Sequence, residues 1–262
     1  MTFRLHLFKA CTLATLGFSQ AACAGGIVGA PESVLLKNAD GQYNHWNGIG
    51  KLFYNGEPSC TASLLDTRNN DNKATGPAYL LTDGHCALRR YDPNPDATLK
   101  LSVTFNYFND TLDSHKSYEI HKVNWTTFSN TDFAIVELAT PLDTLLKDGI
   151  TPLKLSTDAA SIVGDILIVG APHGLPEIGL RLATCTQQPT DAVLVQSGLI
   201  YPDTRKNNCQ GIRAGSDGSP VLEPKTGKIA GMIFTSTYDA KPENLCFNGS
   251  PCNARANNQT HN

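Results

Sequence analysis

No run of lysines or arginines occurs in the 262 residues, charged residues make up only 17%, and the formal net charge is −3. A chain without a row of cations has nothing to set against a row of phosphates or an anionic membrane surface, which argues against a nucleic-acid-binding role. Beyond the N-terminal region no apolar stretch approaches the roughly 20 residues that a membrane-spanning helix needs. No C-x-x-C pair is present, and Cys86 adjoins His85 without a second such pair, so a metal site is not expected. No stretch keeps a 3.6-residue apolar period and no internal repeat is visible, which excludes helical bundles and solenoids. Disorder is excluded over most of the length, because apolar runs such as Ile166 to Val169 and Ala134 to Leu138 recur.

What is present begins with an export signal. Arg4 and Lys9 precede an apolar stretch from Ala10 to Phe18, followed by Ala22-Cys23-Ala24. This is the pattern of a secretory signal peptide over residues 1–24 with an A-x-A cleavage site. A lipoprotein reading with Cys23 acylated fits less well, because Gln20 stands where such signals carry leucine. Cleavage removes two positive charges and no acid, so the net charge of the mature chain becomes −5. It also leaves six of the eight cysteines, Cys60, Cys86, Cys185, Cys209, Cys246 and Cys252. An even number in a chain bound for an extracellular or periplasmic compartment points to three disulfides. Fifteen connectivities are open, and the order along the chain suggests sequential pairs, Cys60 with Cys86, Cys185 with Cys209 and Cys246 with Cys252.

Short segments rich in β-branched and aromatic residues predict strands: Gly50 to Tyr54, Leu101 to Phe108, Phe133 to Leu138, Asp165 to Gly170, Ala192 to Val195 and Lys228 to Thr235. Gly, Pro, Asn and Asp punctuate them, and only Pro141 to Lys147 suggests a short helical turn. The fold class is therefore all-β, of sandwich or barrel type. About 238 mature residues suit two small antiparallel β-barrels packed together better than one. The segment from Thr140 to Ala160 is the candidate link, giving an N-terminal barrel over 25–145, a C-terminal barrel over 146–243 and a loose tail over 244–262. Four N-x-S/T sequons, at Asn109, Asn124, Asn248 and Asn258, matter only for a eukaryotic source.

Three short stretches carry the chemistry: Leu80-Leu81-Thr82-Asp83-Gly84-His85-Cys86-Ala87, then Thr131-Asp132-Phe133-Ala134-Ile135-Val136, then Gly215-Ser216-Asp217-Gly218-Ser219-Pro220-Val221. In this order the chain resembles the chymotrypsin-like serine peptidases, particularly bacterial and fungal members with a G-x-S-G-S-P turn. The resemblance covers essentially the whole mature chain. It implies two β-barrels with the active-site cleft between them, His85 as base, Asp132 as its orienting carboxylate, Cys60 bridged to Cys86, and an oxyanion turn at Gly215 and Asp217.

The position of the family nucleophile is occupied by Asp217. A carboxylate there pairs with a protonated His85 and raises its pKa, and its attack on an amide would give a mixed anhydride, a poor resting intermediate. Ser216 is the neighbouring hydroxyl, but adjacent residues point in different directions, so it reaches His85 only if the turn is reshaped. Ser219 reads as a small residue packed behind the turn. The resemblance also implies an activation switch in which a freed Ile27 pairs with the acid before the nucleophile; that position is Ser216, so Ile27-Val28 is expected simply to begin the first domain. Cys209 to Ala214 and Phe234 to Thr237 are expected to line the primary pocket, with Arg213 read as a solvated loop residue.

The leading expectation is a secreted, monomeric homologue without normal peptidase activity, needing no cofactor, whose partner is an extended peptide or protein held by strand addition. The alternative is an active endopeptidase using Ser216 with His85 and Asp132. An α/β-hydrolase is excluded, because it needs βαβ units and a His after the Ser, and only His261 follows.

Overall fold

The computed structural model describes residues 30–88, 100–157, 164–238, 243, 246 and 251–253. The segment expected to be a signal peptide, Ile27 and most of the tail after 238 lie outside the described residues. The chain is all-β, with two short α-helices among the described elements.

Six strands close into an antiparallel barrel in the order β2-β3-β4-β7-β6-β5: β2 (Ile49–Tyr54), β3 (Glu57–Leu64), β4 (Pro77–Thr82), β5 (Leu101–Phe105), β6 (Lys116–Thr127) and β7 (Phe133–Pro141). Asn55 and Gly56, both with positive φ, make the two-residue turn that pairs Tyr54 with Glu57. The period-2 rule sets the interior: Ala134, Val136 and Leu138 of β7 point inward and meet Leu52, Leu64, Leu80, Val103 and Phe105. Helix α2 (Leu142–Lys147) plugs one end with Leu142 and Leu145. Strand β6 escaped the sequence reading because only Tyr118 of its 12 residues is buried, and two register shifts break its alternation.

The second half is a seven-stranded antiparallel sheet. Its path runs β1 (Val34–Leu35), β9 (Arg181–Gln196), β8 (Gly164–Gly170), β11 (Pro220–Leu222) and β12 (Ile229–Met232). Strands β10 (Leu199–Asn207) and β13 (Cys252–Asn253) also pair with β9. Among the described residues this path ends at β1 and β12, so a second closed barrel is not seen there. Between α2 and β8, Leu153 bridges to Leu65 and Leu155 to Ile229.

Strand β2 is buried on both sides, since its inner face lines the barrel and its outer face is covered by the second sheet. Ile49, Leu81, Tyr107 and Phe108 from the first half pack there against Val169, Ala171, Leu180 and Leu222 from the second. Disulfides join Cys60 to Cys86 and Cys185 to Cys209, as the sequence order suggested. Cys246 is also disulfide-bonded. The side chain of Cys252 lies outside the described residues.

Candidate active site

His85 sits on α1 (Gly84–Ala87), a single turn following β4, with Asp83 at its N-cap position. Asp132 ends the loop before β7, and the cross-strand pairing of Thr82 with Ala134 brings the two segments together. The contact is two-pronged. The His85 backbone N–H donates to Asp132 Oδ1 at 3.0 Å, and His85 Nδ1 donates to Asp132 Oδ2 at 2.7 Å. Gly84 makes room for it: a Cβ there would lie 2.6 Å from the Thr127 carbonyl and 2.9 Å from Asp132 Oδ1.

The Gly215–Pro220 turn comes from the other half and is anchored on β3. The Thr61 N–H donates to the Asp217 carbonyl at 2.8 Å, and Thr61 Oγ1 donates to the Gly215 carbonyl at 2.8 Å. Gly218, at φ +85, presses against the same strand, where a Cβ would lie 2.1 Å from the Thr61 carbonyl. Ser219 is fully buried against Gly170. No hydrogen-bond acceptor for the Gly215 or Asp217 backbone N–H occurs among the described residues.

This turn aims Asp217 at the histidine. Asp217 Oδ2 lies 3.8 Å from His85 Nε2, with the side chains 28% and 39% exposed. Burial alone would push the imidazole pKa down; the Asp132 and Asp217 carboxylates more than reverse this and hold His85 protonated up to about 11. Ser216 points elsewhere. It is 2% exposed, and its Oγ accepts the Arg213 backbone N–H at 3.2 Å. The sequence-predicted His85, Asp132, Gly215 and Asp217 therefore converge, and Ser216 is not brought to them.

Asp83, Lys51 and His173 were not singled out from the sequence. Asp83 is fully buried with neither carboxylate oxygen hydrogen-bonded, and burial raises its pKa well above the ordinary carboxylate value. Lys51, 1% exposed, extends from β2 to just behind Gly215, beside His173. A lysine in a predicted strand between Ile49 and Phe53 was the available signal, since period-2 alternation calls for an apolar residue there. The only cluster of three metal-ligand-type residues among the described ones is Cys60, His85 and Cys86, and its two sulfurs are joined to each other.

A groove of about 890 Å³ opens beside the site, lined among others by Asn130, Thr131, Tyr201, Arg205, Ile233 and Phe234. Both predicted pocket segments contribute to it through Cys209, Ile212 and Phe234 to Thr237. Arg213 does not line it; its guanidinium stacks 4.2 Å from the Tyr238 ring centre.

No protein-family model matches the sequence, and no curated protein matches it. Solved structures do. A Glu endopeptidase aligns with a TM-score of 0.54 at 16% identity, covering 83% of this chain and 89% of that one. The mouse brain serine protease neuropsin aligns at 0.51 and 14%, covering 78% and 86%. The VesB protease of Vibrio cholerae aligns at 0.51 and 15%, covering 79% of this chain and 60% of that one. The chain has the chymotrypsin-like fold. At these identities the likeness concerns architecture, and what the site does rests on the residues that occupy it. No described helix is long and apolar enough to cross a membrane.

Proposed function

We propose that the protein is a secreted homologue of the trypsin-like serine peptidases that holds an extended peptide in its cleft without hydrolysing it by the normal mechanism. The observation that carries this reading is the placement of the Asp217 carboxylate, 3.8 Å from His85 Nε2, where acyl transfer needs a hydroxyl. A base must be neutral to take a proton, and His85 stays an imidazolium up to about pH 11 between its two carboxylates. Ser216 does not repair the defect, because its hydroxyl is buried and bonded to Arg213.

The rest of the apparatus is kept: Asp132 orients the imidazole, and the Gly215 and Asp217 N–H groups remain without internal acceptors. Peptide backbone carbonyls are the natural acceptors for such donors, and the groove beside them has the size of a ligand site. The disulfides and the N-terminal signal pattern support an oxidising location outside the cytoplasm. No cofactor is required by this reading, and the partner is an unfolded segment of polypeptide bound by a monomer.

The test is incubation of the mature chain with a pool of unstructured peptides, followed by mass spectrometry of the bound and free fractions. Peptides recovered bound and intact are expected. Turnover that depends on Ser216 would establish the active-endopeptidase reading instead.

A further inference from the structure

Among the described residues Lys51 is one of the largest fully buried side chains and the only ammonium in that group. Removing a lysine charge from water costs several kcal/mol unless acceptors compensate. Here they come from both halves of the fold. Nζ donates to the Ser59 carbonyl of β3 at 2.8 Å and to the Ala171 carbonyl after β8 at 2.6 Å, and lies 3.3 Å from His173 Nδ1. The titratable groups acting on it are Asp217 on the turn and His173 on the 171–174 loop. Burial pushes the amine down to about 7, and the Asp217 charge pulls in the other direction.

The ammonium also fills the space under the turn. A Cβ on Gly215 would lie 2.4 Å from Lys51 Nζ, 2.5 Å from His173 Nδ1 and 2.9 Å from the Ser59 carbonyl. Gly215 has φ +88, so the chain passes over the ammonium in a conformation that other residues rarely adopt. The His173 backbone N–H closes the arrangement by donating to the Ala214 carbonyl at 3.0 Å. A methionine of similar length would fill the volume and tie none of these groups together.

We propose that Lys51 is a positioning residue: its buried ammonium fastens the barrel to the second sheet directly behind Gly215, and so holds the Gly215–Asp217 segment where Asp217 meets His85. The assignment concerns the same site as the peptide-binding reading but does not depend on any ligand. It follows that the turn is braced from within the fold. The cation comes from β2, on the opposite half of the molecule from the turn it supports.

Electrostatics and positioning predict different results, which makes the test decisive. His85 titrates near 11, where Lys51, with its pKa near 7, is already a neutral amine that still donates to both carbonyls, so its replacement leaves the His85 pKa in place if nothing moves. If Lys51 holds the turn, its loss lets Asp217 drift away and the His85 pKa falls. The measurement is the His85 pKa by NMR titration of the ring C–H in the native chain, Lys51→Met and Lys51→Gln. The expected result is a fall of about one pH unit, a tenfold change in the protonation constant, for Lys51→Met, and a smaller fall for Lys51→Gln, whose shorter amide still donates.

Should Lys51→Met not fold, the presence or absence of a fall in Lys51→Gln decides alone. A second readout is the rate of fluorophosphonate labelling at position 217 in an Asp217→Ser background, expected to drop about tenfold when Lys51→Met is added. A His85 pKa that rises or stays put in the folded Lys51 variants overturns the proposal. Failure of Asp217→Ser itself to be labelled would instead count against the peptidase-homologue reading and leave the titration result standing.

Discussion

Replacing Asp217 with asparagine removes one negative charge 3.8 Å from His85 Nε2 and keeps the shape of the side chain. Two unit charges at that distance interact by about 1 kcal/mol in water and about 4 kcal/mol at the effective dielectric near a protein surface. The His85 side chain is 39% exposed and that of Asp217 28%, so solvent screens the pair and the lower half of this range applies. That corresponds to a fall in the His85 pKa of about 1 to 2. From about 11 in the native chain the midpoint moves to about 9 or 10 in Asp217→Asn, with Asp132 still favouring the imidazolium. The assay is a carbon-edited NMR titration of the histidine rings, with His85→Gln used to identify the resonance. An unmoved or raised midpoint would refute the electrostatic contact on which the loss of base function is argued.

The buried carboxyl of Asp83 has no hydrogen bond, so Asp83→Ala should stabilise the fold by about 1 kcal/mol or more, read as a rise in the denaturant midpoint. Gly218→Ala should do the opposite by more than about 3 kcal/mol, because it adds a steric clash with the Thr61 carbonyl to a strained positive φ. The Cys60–Cys86 bridge closes a loop with a sequence separation of 26. Replacing both cysteines by alanine should lower stability by about 3.5 kcal/mol in the chain-entropy estimate. Stability should also depend on pH in two opposed ways. Lys51 has a folded pKa near 7 against 10.5 ordinarily, so between these values the unfolded chain holds the extra proton and the lysine makes stability rise with pH. His85 is raised from 6.5 to about 11, so its contribution is complete below 6.5 and is lost as pH climbs through 11. Lys51→Met should therefore expose a steeper alkaline loss of stability in denaturation curves taken across pH 7 to 10.

The legible parts of this fold are those in which local pattern and burial agree. Strand β7 alternates cleanly, and its start just after Asp132 was visible as Thr-Asp before an apolar run. The His85, Asp132 and 215–220 segments were read through their order and their resemblance to the chymotrypsin-like peptidases, each at the boundary of a strand. Strand β6 was not, since its solvated face and register shifts erase the period. Lys51 and Asp83 were missed for a different reason: a charge inside an apolar segment reads locally as exposed, and for Lys51 only the packing of the second sheet against β2 shows what receives it. Arg213 was expected to be solvated, and its stacking on Tyr238 depends on a contact 25 residues away in sequence.

The central claim is that a peptidase-like site is assembled around a carboxylate in place of a hydroxyl. Its most direct test is to expose the mature chain and its Asp217→Ser variant to a fluorophosphonate probe and to map the labelled residue by mass spectrometry. The account predicts no label on the native chain and strong label at position 217 of the variant. Label on Ser216 of the native chain would contradict it.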